Sequence, residues 1–263
     1  MELHELFAKH RIASRWILLI VDFLLVIGLR FMGIPTAVLL LLYLSNMVII
    51  YFYVDVYPPF VIQLKDIKNM NDDCDPFPLL KSSERLLSYN LSTISRRTVL
   101  INYCVALRNT GDYEKAYELL KSIDLHALNE KDYMIRCILL NNLADICALL
   151  KKEDEEVYYR RTFFEVYDKM PEGANKKSLF NSHMLTLADR AFHDEEYEKC
   201  IDILKDYKPL NKENDISVSL FKAQIYLKLD EKENAVHLLN HVITNGNKLY
   251  SVVEAKKLLE EIE

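Results

Sequence analysis

Gly111-Asp112-Tyr113-Glu114-Lys115-Ala116 returns 84 residues later as Glu195-Glu196-Tyr197-Glu198-Lys199-Cys200, and more loosely as Asp230 to Ala235. Each stretch opens on turn-forming or charged residues and ends on a small residue at the start of an apolar pattern. Outward from these connections, apolar residues from Thr93 onward recur at spacings of three and four, the period of an amphipathic helix. The breaks carry turn chemistry: Thr110-Gly111-Asp112, Pro171-Glu172-Gly173, Pro209 and Asn245-Gly246-Asn247. No strand-like alternation persists over six residues. The pattern predicts helices near 93–109, 113–123, 130–150, 154–169, 176–193, 195–207, 214–229, 231–244 and 250–262, an all-α fold. A chain of 263 residues with only 5 Gly and 7 Pro agrees with that class.

The helices pair, and the pairs are self-similar. The first supplies Leu100, Tyr103, Cys104 and Leu107, then Ala116 and Leu120. The second opens with Leu140, Leu143, Ala144 and Cys147, but its second helix accepts two registers. The third supplies Met184, Leu187, Ala188 and Ala191, then Cys200 and Leu204. The fourth keeps Ala223, Tyr226, Ala235 and Leu239 but departs at Ser219 and Lys222. Small residues let paired helices approach, and large apolar residues three and four away fill the space between pairs. This arrangement resembles the tetratricopeptide repeat (TPR), at starts near 97, 137, 181 and 216. The spacings of 40, 44 and 35 are irregular against the family's repeat of about 34.

The resemblance implies a TPR-like α-solenoid of about four irregular helix pairs, with Ser251 to Glu263 as a C-terminal capping helix. It also implies a concave wall lined by the first helix of each pair. The family's groove positions fall on Ile101, Val105 and Arg108, on Asn141 and Asp145, on Leu185, Asp189 and Phe192, and on Leu220, Gln224 and Leu227. The Lys/Asn/Arg set with which some relatives clamp a peptide carboxylate is missing. Asn141 offers a donor and an acceptor to an extended peptide backbone, as in similar repeat proteins.

The N-terminal part is different in kind. Trp16 to Leu29 and Ile34 to Val54 are long apolar runs separated by Arg30, Gly33 and Pro35. About 20 apolar residues at 1.5 Å each cross a hydrocarbon core of about 30 Å. The sequence therefore predicts a transmembrane helical hairpin over 1–56, turning at Gly33-Ile34-Pro35, with a re-entrant hairpin as the alternative. Lys9, Arg11 and Arg15 form a basic start, but no small-x-small cleavage site follows, so a retained anchor is expected. Asp22 in the first span and Asn46 in the second lie at comparable depth, and an interhelical hydrogen bond between them is expected. Pro58-Pro59 is expected to stop the second span, leaving 57–75 as a juxtamembrane linker and 76–263 as the repeat domain.

Lys9, Arg11 and Arg15 before the first span, with Lys65 and Lys68 after the second, place both termini and the repeat domain in the cytoplasm. Residues 1–56 carry balanced charge, so the net −6 resides in 57–263. An acidic module is no nucleic-acid binder. Lysine exceeds arginine, which fits a bacterial plasma membrane. Cys104, Cys137, Cys147 and Cys200 sit at small-residue positions of helices and read as buried thiols, with Cys74 alone accessible in the linker. Asn90-Leu91-Ser92 is a glycosylation sequon without meaning on a cytosolic face.

Glu233, His237 and His241 recur every four residues but lack a partner ligand, so a solvated face is expected and no metal. Phosphate loop, dinucleotide fingerprint, nucleophile elbow and a recognisable catalytic His/Cys pair are all missing. The expectation is a non-enzymatic, cofactor-free adaptor in the bilayer that recruits a protein or peptide partner through the concave face. The alternatives are a subunit of a transport or secretion complex engaged through the hairpin, and a peptide-sensing regulator. Oligomeric state is not readable from the sequence.

Overall fold

A computed structural model describes residues 3–125 and 128–262. Among the described residues there is no strand. The chain divides into two compact units, Met1–Ile67 with Leu79–Tyr103, and Lys68–Pro78 with Cys104–Glu263.

In the first unit, α1 (Leu3–Lys9) leads into α2 (Arg11–Phe31), which packs on α3 (Thr36–Tyr51) across a turn at Met32-Gly33. Gly33 takes φ +84°, a left-handed conformation that glycine adopts without steric cost. Arg11–Phe31 and the continuous helix Thr36–Asp73, of which α3 is the first part, are long and apolar enough to cross a membrane. Among the residues of α2 and α3 only Asp22 and Leu39 are buried, while Trp16, Phe23, Leu41 and Val48 stand exposed.

The helix that begins at Thr36 does not stop at Pro58-Pro59. A π-helical turn, Phe52–Val56, joins α3 to α4 (Tyr57–Asp73) without a break. Proline is tolerated in the first turn of a helix, yet Pro59 has no N–H to give the carbonyl four residues back. That carbonyl belongs to Asp55, and it accepts instead from Ser92 Oγ at 3.2 Å and Ser95 Oγ at 2.5 Å. The expected linker at 57–75 is thus helix for most of its length. Residues 79–103, read from the sequence as the start of the repeat region, cluster instead with the N-terminal helices. Within this unit Asn102 Nδ2 donates to Gln63 Oε1 (2.9 Å), and Gln63 Nε2 to Ser83 Oγ (2.7 Å). This polar chain binds α4 to α5 (Phe77–Leu87) and α6 (Thr93–Thr110).

The second unit continues with α7 (Tyr113–Lys121), α8 (Tyr133–Leu149), α9 (Glu153–Lys169), the short α10 (Ala174–Ser178), α11 (Phe180–His193) and α12 (Tyr197–Lys205). It ends with α13 (Lys212–Lys228), α14 (Lys232–Asn245) and α15 (Ser251–Glu260). Packing passes in chain order: α7 on α8, α8 on α9, α9 on α11, α11 on α12, α12 on α13, α13 on α14 and α14 on α15. This helix-on-helix order is compatible with a helical repeat.

Four connections share one geometry. Gly111, Lys151, Glu195 and Asp230 all have positive φ, from +57° to +88°. In each, the next N–H bonds the carbonyl five residues back: Asp112 to Leu107, Lys152 to Cys147, Glu196 to Ala191 and Glu231 to Tyr226, at 2.8–2.9 Å. This is the Schellman helix end, which satisfies carbonyls that the helix leaves open. These left-handed residues recur at spacings of 40, 44 and 35, which fixes the register of every pair.

The unit also closes on itself. Tyr250 N donates to Asn109 O at 2.9 Å, Tyr113 Oη to Glu254 Oε1 at 3.0 Å, and Lys248 Nζ to Asp75 Oδ2 at 2.6 Å. In an open solenoid each repeat meets only its neighbours; here the segment before α15 reaches the first turn. Cys74 is the clearest casualty of the expected linker. It is fully buried, among Ile216, Leu220, Leu239 and Leu249, and its carbonyl accepts from Lys248 N.

Candidate functional site

The register defined by the four turns exposes a substitution in the second pair. Five residues past the left-handed position stand Ala116, Cys200 and Ala235, each with no exposed surface, but in α9 the residue is Glu156. Nine residues past it stand Leu120, Leu204 and Leu239, also fully buried, but in α9 the residue is Arg160. Two apolar core positions have become an ion pair, and an apolar pair is normally the more stable occupant of such a place.

Around this pair the structure builds a lattice of charges. Arg160 Nε donates to Glu156 Oε1 at 2.9 Å, and the guanidinium also meets Asp189 and, at 3.7 Å, Asp145. Arg108 pairs with Asp145 at 3.1 Å and with Glu213 at 3.5 Å. Asn141 Nδ2 donates to Asp145 Oδ2 (3.1 Å), Thr186 Oγ1 donates to Asn141 Oδ1 (3.3 Å), and His193 Nε2 lies 2.7 Å from Glu156 Oε1. All four pairs contribute, from α6, α8, α9, α11 and α13. Four carboxylates face two guanidiniums, and burial pushes the Asp145 carboxyl above its usual range, against the pull of Arg160 and then Arg108.

The polar groove positions are therefore engaged with one another. Arg108, Asn141, Asp145 and Asp189 come together in the lattice. Asn141 gives one amide N–H to Asp145 and accepts from Thr186 at its oxygen, which fixes the orientation of its side chain. The apolar groove positions are not brought together with them. Leu185 and Phe192 pack against the core of the third pair, Leu220 is buried in that of the fourth, and Ile101 is buried and belongs to the first unit. Val105, Gln224 and Leu227 keep partial exposure.

Glu156, Asp189 and His193 hold ligand atoms within 4.8 Å of one another, a spacing suited to a divalent ion. Arg160 already supplies positive charge to both carboxylates. Sequence reading missed Glu156 and Arg160 because the second helix of that pair fits two registers, and His193 and Glu213 because they join the lattice from the ends of α11 and α13. The geometry of the Lys151 turn removes the ambiguity.

In the hairpin, Asn46 Nδ2 donates to Asp22 Oδ1 at 2.6 Å. At its base Arg11 reaches Asp55 Oδ1 at 2.5 Å, with Arg15 at 3.7 Å. The Asp55 side chain is fully buried and ties the start of α2 to the π turn.

No protein-family model, no curated protein and no solved structure matches this chain.

Proposed function

We propose that the chain is a membrane-anchored scaffold, with the hairpin as the anchor and the TPR-like helix pairs as the part that holds a protein partner at the bilayer. The observation that carries this reading is the hairpin's surface. Ile17, Ile20, Leu24, Leu40, Leu41 and Val48 stand more than half exposed, a long apolar surface that water would not tolerate uncovered. Lys9, Arg15, Lys65 and Lys68 favour both termini on the cytoplasmic side. Anchoring confines the repeats to the membrane surface and raises their effective concentration for clients there.

A second reading makes the hairpin the surface that engages a membrane complex. It is favoured by the lattice, because recruitment through Arg108, Asn141 or Asp189 requires ion pairs to open. Quantitative co-purification of the full-length chain from mild detergent separates the two. A Gln224→Ala/Leu227→Ala variant addresses the repeats, and Leu40→Ala/Leu41→Ala the hairpin. Loss of a stoichiometric partner in the first variant alone supports the scaffold. Loss in the second alone, with membrane insertion intact, replaces it with the hairpin reading.

A further inference from the structure

Two sequence features left without a role converge on one cleft. Ser219 and Lys222 are the departures of the fourth pair, standing where the other pairs place Leu100, Leu140 or Met184, and Tyr103, Leu143 or Leu187. His237 and His241 belong to the four-residue stripe on α14. In the structure all four line a cavity of about 310 Å³, with Tyr207, Asp215, Val218 and Leu238 among its other walls.

The donors are unevenly satisfied. His241 Nε2 lies 2.7 Å from Asp215 Oδ2 and so occupies one oxygen of that carboxylate. Lys222, half-buried in α13, forms no hydrogen bond or ion pair with any described residue, and neither does His237. Burial pulls the Lys222 ammonium below its usual range, with Asp215 acting against. Burial pushes the Tyr207 hydroxyl up to about 12, so it keeps its proton and can donate. A partly desolvated ammonium with no direct ion pair is costly, and apolar residues at both departures would have avoided that cost.

We propose that this cleft binds a carboxylate, held by Lys222 and oriented by donors from Ser219, Tyr207 and His237. One ammonium beside an already paired Asp215 matches a monoanion rather than a phosphate dianion. The carboxylate can come from a peptide's C-terminus or from an acidic side chain. This site lies outside the groove positions and does not depend on the scaffold reading.

The test is a titration of the full-length protein in detergent, following histidine ring resonances by NMR. Acetyl-Gly-Gly supplies only a terminal carboxylate, acetyl-aspartyl amide only a side-chain one, and inorganic phosphate serves as the dianion. The expected result is a saturable shift of His237 and His241, and of no other histidine, with at least one carboxylate. Which one responds identifies the source. Lys222→Met should weaken that binding at least tenfold, and Ser219→Leu, which restores the apolar residue of the pattern, should abolish it. Thermal melts confirm that both variants fold, and Lys232→Met should bind unchanged. No saturable shift with either carboxylate in the folded protein overturns the proposal. So does phosphate binding as tightly as the better carboxylate, or unchanged affinity in Lys222→Met.

Discussion

Arg160 Nε donates to Glu156 Oε1 at 2.9 Å along one turn of α9, where the three sister pairs carry a small residue and a leucine. The comparison within one chain isolates what the pair costs. Both side chains are almost wholly buried, at 9% and 2% exposure. Removing Arg160 strands the buried Glu156, removing Glu156 leaves Arg160 with Asp189 and Asp145, and removing both gives α9 the residue pattern of the other three.

Arg160→Leu should destabilise by about 3–5 kcal/mol, Glu156→Ala by less because Arg160 keeps Asp189 and Asp145, and the double variant by clearly less than the sum of the two. Denaturant melts of the four proteins in one detergent give the coupling. Additive losses would show that the two residues act independently.

The turns predict gains. Lys151, Glu195 and Asp230 hold left-handed backbone that a side chain disfavours. Each change to glycine should stabilise by on the order of 0.5–1 kcal/mol. Gly111→Ala should do the opposite, since its Cβ would come within 2.6 Å of the Tyr250 ring. Equal melting temperatures across this set would refute the Schellman assignment as an energetic feature.

His183 stacks on Tyr167 with ring centroids 4.4 Å apart, and burial holds its imidazole below the ordinary 6.5. The unfolded chain therefore takes up the proton first. Stability associated with this ring is present above about pH 6.5 and is lost as pH falls toward the lower folded value. His183→Phe keeps the stack and should flatten the stability profile between pH 7 and 5; an unchanged slope counts against the assignment.

Burial lifts the Cys74 thiol to about 11, and no surface of it meets solvent. Iodoacetamide at pH 8 should leave Cys74 unmodified in the folded protein and label it on unfolding, as peptide mapping would show. Rapid labelling of the native chain would contradict its place beside Ile216 and Leu239.

Much of this fold is legible in residue spacing. The hairpin turn at Gly33, the connections at Gly111, Glu195 and Asp230, and the helices they join follow from period and turn chemistry, which are local. What the sequence conceals depends on distant partners. Pro58-Pro59 reads as a stop until Ser92 and Ser95 are seen to answer the Asp55 carbonyl. Cys74 reads as exposed until Lys248 and Leu249 arrive from the far end of the chain. The pairing of Arg108, Asn141, Asp145 and Asp189 is hidden in the sequence, because Arg160 enters from a helix whose register the sequence leaves open.

The π turn at Phe52–Val56 has a rotational consequence. Each α-helical residue advances the azimuth by about 100°, and a widened turn resets that count for everything beyond it. Before the turn, Leu41, Leu44 and Val48 face outward; beyond it, Pro58, Pro59 and Gln63 face inward. One uninterrupted rod thus changes solvents midway, lipid-suited on one stretch and protein-suited on the next. Deleting a single residue there would leave the composition nearly intact and put both stripes out of phase with their surroundings.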